Sequence, residues 1–397
     1  MKGIPKKLSL ININAPSAWP HLSNIQKSFK KHIVSLFPNI KDFQILSGKK
    51  PPIDDDLWIV PIGQTQPYLF SWLKKEFASP YKRPRMIFVL SGEGVKGGYS
   101  LYFHKELFRL DDEWLVSCEA EKKLLDSFFP GNNRTHILHY PVDPLFKPTK
   151  RDKKDLRKKL KLPLTRPIML YAGRVSTQKN VFSLLDVLEK FKNLHIVVCG
   201  DADTFGLPHF NTAMAGHLPT EFITQIANRK LGDRIDFRGF VSQNELKEMM
   251  QACDYQISLS SHYGEDFGYS IAQGLCLGLK TVLTQWGGHL NWSKYFSAKE
   301  LSYIPLEWSE GIGFPNIKDM ILPKSSRINF PKEFHRDFSQ QLFMIVTETD
   351  FTLRKINLVV SDEIAEYWSE VERENRTVMY KDHNDPLFLK VQKIYSE

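Results

Sequence analysis

The chain lacks most of the features that would name a chemistry at once. Among 397 residues there are four cysteines, Cys118, Cys199, Cys253 and Cys276. None stands within metal-ligand spacing of another, and each sits in an apolar stretch. The pattern excludes a disulfide framework and reads as buried free thiols of a reducing compartment. No HExxH or paired-histidine spacing occurs, so no metal is expected. Neither GxSxG nor a P-loop is present, which removes two large classes of hydrolase and nucleotidase. No apolar run approaches the roughly 18 residues of a spanning helix. The apolar part of MKGIPKKLSLININ is too short for a signal peptide, so a cytoplasmic protein is expected.

Acidic charge is the other shortage. Lys and Arg number 54 against 45 Asp and Glu, a net charge of +9. Excess base points to an anionic partner: nucleic acid, an acidic membrane surface or a phosphorylated substrate. The basic residues are not interleaved with aromatics in any nucleic-acid-reading pattern, so no nucleic acid is expected. Lys27, Lys30, Lys31 and His32 stand with Trp19, Phe29 and Phe37 in the first part of the chain. That grouping raises the expectation of a peripheral contact with the inner face of an anionic membrane. Arg151 to Lys161, RDKKDLRKKLK, reads as a short surface helix at a domain junction, with a membrane contact as its alternative.

What is present in quantity is core. Hydrophobic residues make up 42% and aromatics 12%, and the length suits two domains. In the second half, the apolar runs 168–171, 195–199, 235–237, 255–259 and 281–283 alternate with helical spacing. Val181, Leu184, Leu185, Leu188 and Phe191 form one such face. Ser242-Gln-Asn-Glu245 reads as a capping box opening a helix. This alternation predicts a parallel sheet wound by helices. The first half repeats the idea at 8–13, 43–46, 57–60, 86–90, 114–116 and 137–140. The expected domains are 1–148, completed by a C-terminal helix near 365–397, and 149–350.

Two stretches carry chemistry. Gly173-Arg174-Val-Ser-Thr-Gln-Lys179 follows a strand and precedes a helix. Ligands collect at such strand ends, and the guanidinium fork and the ammonium would share the oxygens of a diphosphate. Glu265 stands beside Asp266-Phe267-Gly268, and Gln273 follows it by eight positions in a helix-like run beginning at Tyr269. The first amides of a helix attract anions. A carboxylate beside them suits a ligand with both phosphate and hydroxyl groups, such as a nucleotide sugar. Trp286-Gly-Gly-His289 follows a later strand and falls on the same rim, where its glycines permit close backbone approach. Gly92-Glu-Gly94-Val-Lys-Gly97 matches GxGxxG, but it lies well inside its domain and reads as a loop rather than a dinucleotide site. Asp201-Ala-Asp203 reads as a loop cap.

The order GR-x4-K, then CGDAD, then FRGFVSQNEL, then E-x7-Q, then a strand followed by GG resembles family 4 glycosyltransferases with the GT-B fold. Trp114 to Glu121 and His136 to Pro148 are also similar to that family. The resemblance implies an α/β fold of two Rossmann-like domains with parallel sheets facing a central cleft. It implies retaining transfer of a sugar from a nucleotide-sugar donor to a glycan or lipid-linked acceptor hydroxyl, with no metal and no cofactor beyond the co-substrate. Arg174 and Lys179 would hold the diphosphate, and Glu265 would contact the sugar hydroxyls. Gly173, Asp266, Phe267, Gly268 and Tyr269 would line the donor. Gln273 stands where the family usually has a second Glu on the ribose diol. On the acceptor side Ser91, Gly92 and Glu93 replace an expected histidine, and Ala15 to Trp19 replaces a glycine pair, so Ser91, Glu93 and Trp19 are the candidates there. The alternatives are a non-catalytic nucleotide-sugar-binding protein and a sugar-nucleotide epimerase.

Overall fold

The computed structural model describes residues 7–12, 20–62, 66–90, 101–109, 111–130, 134–202, 218–324, 328–347, 360–374 and 380–397. It divides into two compact units, Met1–Pro141 with Lys332–Arg376, and Val142–Pro331 with Thr377–Glu397.

The first unit holds strands β1 (Leu8–Asn12), β2 (Lys41–Gln44), β3 (Leu57–Ile62), β4 (Arg85–Leu90), β5 (Glu113–Val116) and β6 (Thr135–Ile137). They form one sheet in the order β2-β1-β3-β4-β5-β6, parallel throughout. Helices Pro20–Leu36, Gln66–Glu76 and Glu119–Phe128 lie in its crossovers. The central strands are buried on both faces, as a helix-covered parallel sheet requires, and Trp58, Phe88 and Trp114 fill the core. Two departures from expectation are local. Ile45–Ser47 closes in a 3-10 turn ended by Gly48 at φ 70°, so the strand expected at 43–46 sits at Lys41–Gln44. The strand expected at 137–140 lies earlier, at Thr135–Ile137; beyond it Leu138 still donates to the Val116 carbonyl at 2.7 Å and Tyr140 donates its hydroxyl to the Leu90 carbonyl at 2.7 Å.

The second unit holds β7 (Ile168–Ala172), β8 (His195–Cys199), β9 (Ile235–Gly239), β10 (Tyr255–Ser258), β11 (Lys280–Thr284) and β12 (Leu301–Ile304) in the order β12-β11-β10-β7-β8-β9, again all parallel. A hairpin follows, β13 (Leu306–Ser309) with β14 (Ile312–Pro315). Counted from β7, the sheet runs 3-2-1-4-5-6, the dinucleotide-fold order, and its switch point lies between β7 and β10. Strand β12 and the hairpin escape the sequence reading because LSYI and the residues after it mix apolar and polar positions. The capping box at Ser242 and Glu245 forms as expected.

The domain limits differ from expectation. The first unit closes at Pro141 rather than 148, and the tail divides between the units. Helix Lys332–Thr347 belongs to the first, with Phe338 edge-on to Phe29 at 6.1 Å and Phe343 stacked on Phe37 at 6.2 Å. Helix Asp362–Arg373 follows it there and seats Trp368 against Phe128 at 5.2 Å. The last helix, Pro386–Ser396, instead belongs to the second unit, where Tyr395 packs on Trp286 at 5.3 Å and Phe388 on Trp308 at 5.9 Å. Large rings anchor each of these helices, since they contribute much of the burial.

The basic run is far less free than its composition implies. It forms helix Lys153–Lys159. Arg151 and Lys159 pair with Glu248, Lys153 and Arg157 with Asp254. Arg157 is buried and also donates to the Ala252 carbonyl at 2.9 Å. These cations fasten the helix to Gln243–Ala252 and leave a reduced charge for any membrane. In the first unit Phe29 and Phe37 are core residues, and Lys30 pairs with Asp42. The aromatic side of the expected lipid contact is therefore buried, because those rings are the face with which helix Pro20–Leu36 docks. Trp19 lies outside the described residues. Among the described residues no helix is long and apolar enough to cross a membrane.

Candidate functional site

The switch point between β7 and β10 is where an open α/β sheet leaves a crevice at its strand ends. The loops leaving those strands are the two stretches singled out by sequence. After β7, the Gly173 amide donates to the Cys199 carbonyl at 3.0 Å and the Val175 amide to the Asp201 carbonyl at 2.9 Å. Tyr171 donates its hydroxyl to the Arg174 carbonyl. The loop then turns through a short 3-10 segment, Thr177–Lys179, ended by Asn180 at φ 50°. Asparagine tolerates this left-handed conformation better than most residues. Its buried amide nitrogen faces the Leu259 carbonyl (2.8 Å), the Gly313 carbonyl (2.9 Å) and the Ser261 hydroxyl (3.0 Å). One side chain thus fastens the turn after β7 to the loop after β10.

That fastening brings the two stretches together. Lys179 forms an ion pair with Glu265, whose side chain is 8% exposed against 20% for the lysine. Lys179 Nζ also reaches Ser260 Oγ at 3.4 Å. Arg174 Nη2 donates to Gln178 Oε1 at 3.2 Å, one residue before the lysine. Burial by itself would raise the Glu265 carboxyl. The charge of Lys179, the neighbouring His289 ring, and hydrogen bonds from Lys179 and Ser260 outweigh it and bring the carboxyl down to about 2. Glu265 is therefore a buried acceptor, ionised at neutral pH, whose only full cation in direct contact, among the described residues, is a lysine with solvent access.

The loop continues into the helix Tyr269–Cys276 through Gly268 at φ 68°, a conformation that favours glycine. Phe267 packs its ring on Trp292 at 5.4 Å, and its amide donates to Asp266 Oδ1 at 2.7 Å. The ring is thus core, and the aspartate folds back on the loop. Gln273 is buried and donates to Gln243 Oε1 at 3.1 Å, which leaves its own carbonyl oxygen as the acceptor. From β11, Trp286-Gly-Gly-His289 runs against the back of this loop. Gly288 donates to the Glu265 carbonyl at 2.8 Å. A Cβ on Gly288 would stand 1.7 Å from the Asp266 carbonyl oxygen, and one on Gly287 would stand 2.6 Å from that of Glu265 and 2.7 Å from the Tyr395 ring. Backbone touches backbone here, and only glycine leaves room.

The structure thus pairs Lys179 with Glu265, keeps Gly173 and Arg174 in the same loop as Lys179 with Arg174 on Gln178, and puts Asp266, Phe267, Gly268 and Tyr269 on the adjoining loop and helix start. Ser91 and Glu93 lie outside the described residues, as does Trp19. Sequence reasoning gave Asn180, Ser260 and His289 no role. His289 is fully buried, with Nε2 3.7 Å from Glu265 Oε1. The one signal for it was its position on the same rim. Among the described residues no group of three or more His, Cys, Asp or Glu side chains is arranged to hold a metal ion.

Residues 152–297, inside the second unit and containing all of these groups, match the family model of glycosyl transferases group 1. No curated protein matches the sequence. Among solved structures, the chain is similar to HepE from Anabaena in complex with UDP-glucose, at 16% identity over 93% of this chain and 99% of that one, with a TM-score of 0.52. It is similar to a glycosyltransferase from Rickettsia africae ESF-5, at 14% identity over 87% and 99%, TM-score 0.58. It is also similar to sucrose-phosphate synthase from Thermosynechococcus elongatus, at 14% identity over 93% and 98%, TM-score 0.56. At such identities the likeness is one of fold: two α/β units, each on a six-stranded parallel sheet, the GT-B class.

Proposed function

We propose that this chain is a glycosyltransferase that moves a sugar from a nucleotide-sugar donor to an acceptor hydroxyl, with retention of configuration and without a metal. The match of residues 152–297 to group 1 glycosyl transferases supports the class. The observation that carries the reading is the pairing of Lys179 with the buried carboxylate of Glu265 at the β7–β10 switch point, with Arg174 in the same loop as the lysine and a helix start after the carboxylate.

The physical problem in such a reaction is the charge that develops on the departing diphosphate. Preorganised cations and helix-start amides stabilise that charge as the bond breaks. Arg174 offers a fork and Lys179 a point charge. Glu265, ionised and dry, accepts from sugar hydroxyls and fixes the ring relative to the breaking bond. Without ligand Lys179 neutralises Glu265, so donor binding redistributes one cation between a carboxylate and a phosphate. The acceptor is a glycan or a lipid-linked sugar. A peripheral membrane contact would use the exposed Lys27, Lys31 and Val34 of helix Pro20–Leu36 with exposed Phe343 and Met344. Failure to sediment with anionic vesicles at low salt removes that part of the reading.

The test begins with a thermal-shift panel of UDP-, GDP- and ADP-sugars, followed by transfer assays with the sugar that stabilises. Arg174→Ala and Lys179→Ala are each expected to reduce turnover by orders of magnitude, and a chelator is expected to leave it unchanged. Near-normal turnover in both variants ends the proposal.

A further inference from the structure

We propose that His289 is the reserve counter-charge of Glu265: when an anionic ligand draws Lys179 away, His289 takes up one proton from solvent and holds the carboxylate in its place. The inference deepens the donor-site reading and rests on it, since it needs Lys179 to move toward a diphosphate.

The hydrogen-bond network assigns the ring's tautomer. His289 Nδ1 is 2.9 Å from Thr284 Oγ1 and 3.3 Å from the Thr284 carbonyl oxygen. The Thr284 hydroxyl donates its own hydrogen to the Ser260 carbonyl. Both threonine oxygens facing the ring are therefore acceptors, and Nδ1 carries the hydrogen. Nε2 is then a bare lone pair. It is buried, has no hydrogen-bond partner among the described residues, and faces Glu265 Oε1 at 3.7 Å. A lone pair against a carboxylate is an unfavourable contact, and one proton on Nε2 turns it into an ion pair.

What opposes that proton is local. Burial lowers the pKa of the ring, Glu265 pulls it up, and Lys179 pushes it down again, with a net displacement below the ordinary histidine value. The surrounding elements offer few charges. The loop after β10 presents Glu265, the turn after β7 presents Lys179, and β11 presents the neutral Thr284. Tyr303 of β12 donates its hydroxyl to the His289 carbonyl at 3.0 Å and is uncharged. Moving Lys179 to a phosphate removes the repelling cation and leaves the carboxylate without its partner. Both changes favour the imidazolium. Glu265 then keeps a neutralising neighbour on its Oε1 side, its Oε2 side is open to a sugar hydroxyl, and the lysine is released without stranding a buried charge.

The experiment is calorimetry of binding at pH 6.5 in buffers of different ionisation heat. The probe is UDP-glucose, or whichever sugar nucleotide the thermal-shift panel selects. Its diphosphate is esterified at both ends and does not titrate near neutrality. Uptake of about half a proton or more per ligand bound is expected. Binding with no proton uptake overturns the proposal and leaves the donor site standing, whereas absence of binding by every sugar nucleotide overturns the donor site and this proposal with it. His289→Gln is expected to bind without the uptake. A second measurement is independent of that variant's folding. In Lys179→Met without ligand, the His289 ring followed by NMR is expected to titrate at higher pH than in the unsubstituted protein. An unchanged titration overturns the proposal.

Discussion

Replacing Lys179 by alanine tests the physical core of the site apart from any assay of turnover. The substitution leaves Glu265, 8% exposed, without the cation that touches it. The depression of the Glu265 carboxyl from 4.5 to about 2 corresponds to about 3 kcal/mol of net preference for the ionised form. Lys179 supplies the largest of the favourable contributions, and at pH 7 proton uptake by His289 offsets only part of its loss, because burial holds that ring below the ordinary histidine value. Breaking one side of a buried pair in other proteins costs about 3–5 kcal/mol. A loss of about 2–4 kcal/mol at pH 7 is expected, read as a fall in Tm of roughly 5–15 °C. The pH dependence gives the sharper check. The folded value of Glu265 lies below its unfolded value, so its contribution is complete above pH 4.5 and disappears as pH falls toward 2. The stabilities of Lys179→Ala and the unsubstituted protein are therefore expected to converge across that window. Adding Glu265→Gln to Lys179→Ala is expected to recover most of the loss at pH 7. A variant as stable as its parent at pH 7, or a deficit equally large at pH 3, refutes the account of a lysine-held buried carboxylate.

Gly288→Ala would drive a Cβ to 1.7 Å from the Asp266 carbonyl oxygen; a loss of about 1–3 kcal/mol with weakened nucleotide-sugar binding is expected by thermal shift and calorimetry. Tyr395→Ala empties the space behind Trp286 and Gly287 and is expected to cost about 3 kcal/mol or more in denaturant unfolding, with Tyr395→Phe restoring most of it. In the first unit Asp112 accepts from Arg83, from the Met86 amide at 2.8 Å and from the Arg109 amide at 2.8 Å, with both partners of the Arg83 pair 1% exposed. Asp112→Ala is expected to lower stability by about 3–5 kcal/mol, again measured by denaturant unfolding, while a Gly288-type effect on ligand binding is absent. His104, His195 and His289 are each lowered chiefly by burial. The unfolded chain then binds more protons, and stability is expected to fall as pH drops through the ordinary histidine value near 6.5, which a Tm series from pH 8 to pH 5 reads directly.

The sequence by itself marked five of the six sheet strands of the second unit and the strand ends where the candidate site lies. Ile168–Ala172 and His195–Cys199 are apolar on both faces, which suits only a covered parallel strand, and Ser242 with Glu245 marks a helix start wherever the chain goes. Because ligands gather where strands end, Arg174, Lys179 and Glu265 were legible from their positions after β7 and β10. The tertiary structure alone decided what those residues touch. Asn180, Ser260 and His289 carry no local pattern; they matter because the sheet order sets β10 beside β7 and β11 beside β10, and sequence separation says nothing about that adjacency. The same holds for Arg151 to Lys161, a solvated charge run by composition and a paired, partly buried helix in fact. It holds for the tail too, whose periodicity marks helices but not which unit receives them: Trp368 and Tyr395 are both large rings, and one packs on Phe128 of the first unit while the other packs on Trp286 of the second.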